Sequence, residues 1–422
     1  AERLGLREGA RHYTGLSGTS PQKRIQAAAS EILAGRSDVA IVVGAESLAT
    51  KRRLRKSGER PAWSHRPSEK PALPFDDPHH PAEIAHQVFQ AYLTFAVFDI
   101  ARRAHLGLSP DEHRRRLGEV FAPMSRIAAA NPNAWLRTER SAAEIVEVTV
   151  QNRMVAYPYP KYTIAVLDVD MAAGIIIASH EKADALGVPR DRRIYLRGWC
   201  HSKDPVYVAE RADLWRSAGM EEASRAALAC AGVGIDDVAH LDLYSCFGSS
   251  IEFASDALGL AADDARPLTV TGGLPFHGGP GNNYMTHAVA GMVRKLREDP
   301  SGLGMVSGVG MHMTHHVFAV YSAEPGALEP PDEAAVQARV EATPRRKIRN
   351  AATGSARVAA YSVVHDREGP AWGLAVCDLP EGDRCYARLD DLQRMREIEE
   401  KEWVGQDVEL IDAGNGVNQI EA

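Results

Sequence analysis

The first stretch with regular patterning, "HYTGLSGTSPQKRIQAAASEILAGRSDVAIVVGAES", runs from His12 to Ser47. Ile25, Ala28, Ala29, Ile32 and Leu33 recur at the spacing of one helix face, with Ser20 as N-cap, Pro21 in the first turn and Gly35 as the stop. Val39 to Val43 is an unbroken apolar run closed by Gly44, which predicts a buried parallel strand. A helix leading into such a strand is half of a βαβ unit. A preceding strand is therefore expected to end near Tyr13, with the front of that half expected before Ala1.

From Lys51 to about Pro160 the pattern changes. "KPALPFDDPHHPAEIAHQ" is rich in Pro and His, and helical periodicity follows in "EIAHQVFQAYLTFAVFDIARRAH" and "SPDEHRRRLGEVFAPMSRIAAANP". These stretches predict a helical insertion with long connections rather than another sheet. A strand is expected over Ile164 to Ile177, then a helix opened by Ser179.

After "RRIYLRGWC" a second α/β series begins: helix "MEEASRAALACAG", strand "HLDLYS", helix "CFGSSIEFASDALGL", the loop "TGGLPFHGGPGNN" and helix "YMTHAVAGMVRKLRE". Strands "GLGMVSGVG" and "HVFAVYSAEP" close it, so two similar α/β halves flank the insertion. Pro325 to about Thr343 reads as a linker, and the short strands "ARVAAYSVVHD", "AWGLAVCDL" and "RCYARL" predict a small β-domain of barrel type.

A length of 422 residues fits two or three folding units. With 45% hydrophobic and 25% charged residues the chain reads as soluble and globular. A net charge of −7 gives no bulk attraction for nucleic acid or an anionic membrane. The run Pro344 to Arg349 is a local basic exception, read as a solvated linker. Cys200, Cys230, Cys246, Cys377 and Cys385 form no CxxC pair and no ligand spacing, so neither a disulfide framework nor structural zinc is expected. No apolar run reaches the ~18 residues of a membrane span, and a reducing cytoplasm is the expected location.

Three places could carry chemistry. Ser17 stands just before a helix, where a nucleophile gains from the helix's positive end, and it also reads as a plain turn residue. Tyr244-Ser245-Cys246-Phe247 closes a strand, and Cys246 there is either reactive or a small buried hydrophobe. The loop from Gly272 to Gly281 holds His277, a candidate acid or base, among glycines that allow close approach to a ligand. His277 and the His315-His316 pair lack the spacing of a metal site, and no metal is expected.

The motif order resembles thiolases, most closely the type 1 thiolase-like proteins usually described as acetyl-CoA acetyltransferases. The stretches that carry the likeness are "ILAGRSDVAIVVGAESL", "NPNAWLR", "QNRMVAYPYPK", "DVDMAAGIIIASHEKADALGV" and "TVTGGLPFHGGPGNNYMTHAVAGM", with an added C-terminal β-region. The resemblance implies an α/β thiolase fold: two βαβαβ-type halves in five layers (αβαβα), a loop-domain insertion and a small C-terminal β-barrel-like domain. The corresponding partition is 1–50 and 163–191 for the N-terminal half, 51–162 for the insertion and 192–324 for the C-terminal half. A linker at 325–345 and the β-domain at 346–422 complete it.

The resemblance also implies a coenzyme A thioester as substrate or ligand, held in part by Gly278, Gly279 and Pro280, and a homodimer. A working thiolase needs a Cys nucleophile, an activating His, a second Cys as acid/base and oxyanion holes. Counting back from Gln22, the nucleophile position falls on Ser17. The Gly-His-Pro histidine falls on Gly279, and the Cys-x-Gly position falls near Val309. Where sterol-carrier-type thiolases have His-Asp-Cys-Phe, Tyr244-Ser245-Cys246-Phe247 stands.

The leading expectation is an acyl-CoA-binding protein without standard Cys/His transferase chemistry, its site at Ser17, Tyr244, Cys246 and His277. A second is a retro-aldol lyase on a CoA thioester, with Tyr244 or Tyr284 as acid/base. A third is a non-catalytic scaffold whose β-domain, reached through Arg345 to Arg349, binds a protein partner or nucleic acid.

Overall fold

The computed structural model describes residues 12, 14–61, 79–326 and 328–421, so Tyr13 lies outside the described residues. The N-terminal half opens with α1 (Ser20–Leu33), β1 (Val39–Ser47) and α2 (Leu48–Lys56). The inserted region supplies α3 (Pro81–Ala85), α4 (Ala91–His105), α5 (Pro110–Ala130), α6 (Ala142–Val146), β2 (Met154–Ala156) and β3 (Tyr159–Pro160). β4 (Asp170–Ala178) and α7 (His180–Ala185) return to the first half.

The second half comprises β5 (Tyr195–Lys203), α8 (Ala218–Ala231), β6 (Val238–Asp242), α9 (Gly248–Leu258), α10 (Tyr284–Glu298), β7 (Leu303–Gly310) and β8 (His315–Ser322). After α11 (Glu333–Glu341) come β9 (Gly354–His365), β10 (Pro370–Asp378), β11 (Arg384–Leu389), α12 (Leu392–Glu400), β12 (Asp407–Asp412) and β13 (Asn418–Ile420).

Local chemistry sets most helix starts. Ser109 and Ser141 accept from the N–H of Glu112 and Glu144, whose carboxylates bond back, satisfying first-turn donors. Ser179 and Ser217 cap α7 and α8 by accepting from the N–H of Lys182 and Met220. α1 begins one residue earlier than its sequence suggests, at Ser20 with Thr19 in the cap position. The apolar stretch ending in His105 is two helices, because Gln87 takes a left-handed φ of 59° and turns the chain between α3 and α4.

α1 and α10 pack on each other in the middle of the molecule. On one side they meet β1 and β4; on the other they meet the four-stranded sheet β5-β8-β7-β6, whose outer side α8 covers. β1 departs from its expected character. It pairs antiparallel with β4, from Val39↔Ala178 to Ser47↔Asp170, and not as a parallel strand. Nor is it buried on both sides, since Val39, Ile41 and Val43 are exposed while Val42 packs inward. The expected strand from Ile164 is regular only from Asp170.

The C-terminal strands β9, β10, β11, β13 and β12 form a closed barrel, β10 pairing with both β11 and β9. Two expectations change here. The insertion is not purely helical: β2 and β3 extend the barrel's sheet through Ala156↔Val364. Nor is 325–345 a free linker. Asp332 caps α11, which packs on α8 and β5 with Val336 and Val340 buried. Among the described residues no helix is long and apolar enough to cross a membrane.

Candidate functional site

Ser17 stands half-buried ahead of α1. Its hydroxyl bonds to the Thr19 hydroxyl at 2.8 Å and accepts from the Thr19 N–H at 3.3 Å. Neither partner is an imidazole or a carboxylate, so among the described residues no base is hydrogen-bonded to that hydroxyl. The loop is packed against the ends of two strands. A methyl on Gly18 would run into the Val309 carbonyl oxygen and lie 2.5 Å from the Tyr244 hydroxyl, and one on Gly310 would run into Ser17 Oγ. Ser17, Tyr244 and the Val309-Gly310 end of β7 therefore converge.

Tyr244 is fixed at its backbone. Its N–H donates to Ser307 Oγ at 2.9 Å and its carbonyl accepts from Ser250 Oγ at 2.7 Å. Burial, with the Cys246 sulfur nearby, pushes the phenol well above its ordinary value, so the hydroxyl keeps its proton at neutral pH. Its ring meets Tyr284 edge-on at 5.5 Å. The Tyr284 hydroxyl is fully committed, donating to Asp242 at 2.9 Å and paired with Thr271 at 2.8 Å. Asp242, at the end of β6, also accepts from the Thr269 and Thr271 hydroxyls and from two backbone N–H groups of that segment. That carboxylate thereby anchors the start of the glycine loop.

The loop brings His277 to 6.2 Å from the Tyr284 ring centre. His277 Nδ1 faces Asn131 Nδ2 at 3.3 Å, and Nε2 lies 3.4 Å from His287 Nδ1. Burial lowers His277 to about 3 and His287 to about 4, so both rings are neutral at pH 7. His287 and Asn131 escaped the sequence reading. His287 carried one usable signal, its position three residues after Tyr284 on a helix face; Asn131 opens the family-like stretch "NPNAWLR", but nothing in that stretch pointed it toward His277.

Cys246 is not brought into this group as a reactive thiol. It is buried, its Sγ sits 3.6 Å from Ser250 Oγ, and burial pushes the thiol up to about 12. Gly278, Gly279 and Pro280 are buried too. Gly278 abuts Met171 and Val169, the Gly279 N–H donates to Val166 O at 2.8 Å, and the Pro280 carbonyl accepts from Asn283. These three brace the segment leading into β4. The loop touches the Ser17 turn further on, where Asn282 Nδ2 donates to Gly15 O at 3.1 Å.

Two other charged clusters are structural. Asp99, His113 and Glu252 lie within ligand distance of one another. Arg102 and Arg116 already pair with Glu252 at 2.9 and 2.7 Å, however, and Tyr159 donates to Asp99. A further cation would face two guanidiniums there. His316 meets Asp204 at 2.9 Å, but Ser217 donates to the same carboxylate while capping α8, and Arg211 lies alongside. The basic run after α11 is spent on contacts: Arg345 with Glu210, Arg346 with the Gly382 carbonyl and Arg349 with Asp383.

Two α/β halves sharing a central pair of helices, with a serine turn, a strand-end tyrosine and a glycine loop around their junction, define a protein of the thiolase class. A monomeric SCP2-thiolase-like protein type 1 from Mycobacterium smegmatis is 34% identical, over 96% of this chain and 82% of that one, with a TM-score of 0.84. The dimeric peroxisomal thiolase of Saccharomyces cerevisiae shares the fold at 13% identity, with a TM-score of 0.52 over 73% of this chain and 75% of that one. No family model and no curated protein sequence matches the chain. The chain belongs to the thiolase superfamily.

Proposed function

We propose that the protein binds acyl-coenzyme A thioesters at the Ser17–Tyr244 junction and does not perform standard thiolase transfer. The observation that carries this reading is the hydrogen bonding of Ser17, whose hydroxyl meets Thr19 and, among the described residues, no imidazole or carboxylate, where a thiolase would place an activated thiolate. Tyr244 keeps its proton and faces the same turn, which suits it to donate to a thioester carbonyl. The lyase reading retains Tyr244 alone, since the Tyr284 hydroxyl is already bound to Asp242 and Thr271.

Calorimetry and thermal shift on the full chain with acetyl-CoA and longer acyl-CoAs test the proposal. Binding is expected without an acyl adduct in the intact mass, and Tyr244→Phe should weaken it about tenfold, the worth of one hydrogen bond. Absence of heat and of any shift at millimolar ligand would remove acyl-CoA as ligand. A stable acyl group on Ser17 would restore transfer chemistry.

A further inference from the structure

Cys377 on β10 and Cys385 on β11 are direct partners in an antiparallel register. Such partners have Cα atoms about 4.5 or 5.5 Å apart, depending on the class of pair. Both spacings fall within the roughly 4.4–6.8 Å that a disulfide bridges. The two side chains are fully buried in the barrel core. β10 also shifts register against β9 between Val376 and Cys377. A bulge there adds local twist, freedom that a Cβ–S–S–Cβ angle near ~90° can use.

We propose that Cys377 and Cys385 form a reversible cross-strand disulfide, a covalent latch on the β10–β11 pair. With a peroxide as oxidant, one sulfur attacks the O–O bond and becomes a sulfenic acid, releasing water. The second thiol displaces the sulfenic oxygen as a second water, closing the S–S bond. Two thiols and one peroxide thus give one disulfide and two waters. Burial makes the first step slow, so it proceeds through opening of the strand pair. The next rung, Asp378↔Arg384, carries Arg384, which donates to the Arg211 and Ala212 carbonyls of the second half. The latch therefore sits where the barrel is fastened to the rest of the molecule.

The full chain is oxidised with hydrogen peroxide, denatured with iodoacetamide to block remaining thiols, and digested with trypsin without reduction. The expected product joins peptide 368–384 to peptide 385–388 and separates on reduction, with Cys200 and Cys246 alkylated. Amide exchange across 374–389 should slow in the oxidised sample and recover with dithiothreitol. Half-buried Cys230 reports that the oxidant acted. If Cys230 is oxidised while Cys377 and Cys385 both remain alkylated, even in urea just below the unfolding transition, the proposal fails. A cross-link that changes no exchange rate would overturn the latch.

Discussion

At the scale of single residues, the candidate site depends on two positions that tolerate no side chain. Gly18 needs no unusual backbone angle; what it provides is room, because a Cβ there meets the Val309 carbonyl, which cannot swing aside as a side chain would. Gly18→Ala is expected to cost about 3 kcal/mol, at the upper end for overpacking. Ser17→Ala, at a half-buried position with a hydroxyl bonded to its near neighbour Thr19, should stay within about 1 kcal/mol of the parent. Thermal unfolding followed by near-ultraviolet circular dichroism compares them, and equal midpoints would mean that the Ser17 turn does not press on β7. The family resemblance grouped Ser17 and Tyr244 in one expected site, while local patterning placed one at a turn and the other at a strand end without relating them. Their meeting spans more than two hundred positions and is set by how the turn ahead of α1 packs against the end of β7, which no local pattern encodes.

At the scale of elements, the buried seam between α4, α5 and α9 ties the insertion to the second half. Arg102 is its centre, bonding Asp256 at 2.6 Å and Glu252 at 2.9 Å. Burial disfavours the Glu252 charge, so its carboxylate depends on the neighbouring Arg102 and Arg116. Arg102→Ala should therefore destabilise by about 3–5 kcal/mol, while replacing Arg102 and Glu252 together by leucine should recover much of the loss. Urea unfolding measures both, and a double variant no better than the single one would show that the pair is not the unit. Long periodic elements such as α5 and α8 were legible in the sequence because their apolar residues repeat over several turns. α11 was not, since it buries only Val336 and Val340, and β2 and β3 are too short to show any period. The antiparallel, half-exposed β1 was misread because an unbroken apolar run looks the same whether one face or two is covered.

At the scale of the whole molecule, the histidines make stability depend on acid. Burial lowers His201 to about 2, His277 to about 3, and His287, His312 and His315 to about 4, with His80, His86 and His316 also lowered. Unfolded, these rings titrate near ~6.5. Between that value and the folded ones the unfolded chain binds more protons, so stability rises with pH there. The full contribution is present above about pH 6.5, and it is lost progressively as the pH falls toward 4 and below. Glu83, Glu221, Glu252, Glu333 and Asp242, raised by burial, act in the opposite sense, but they are fewer. Asp204 adds to the acid loss at lower pH: its burial is outweighed by Arg211 and His316, which hold the carboxyl below its ordinary value. Between pH 7.5 and pH 5 the midpoint of thermal unfolding should fall by about 5 °C or more, and return when the sample is restored to pH 7.5. A midpoint that holds or rises over that interval would mean that the buried histidines carry charge in the folded protein, and the neutral His277–His287 pair would then be wrong.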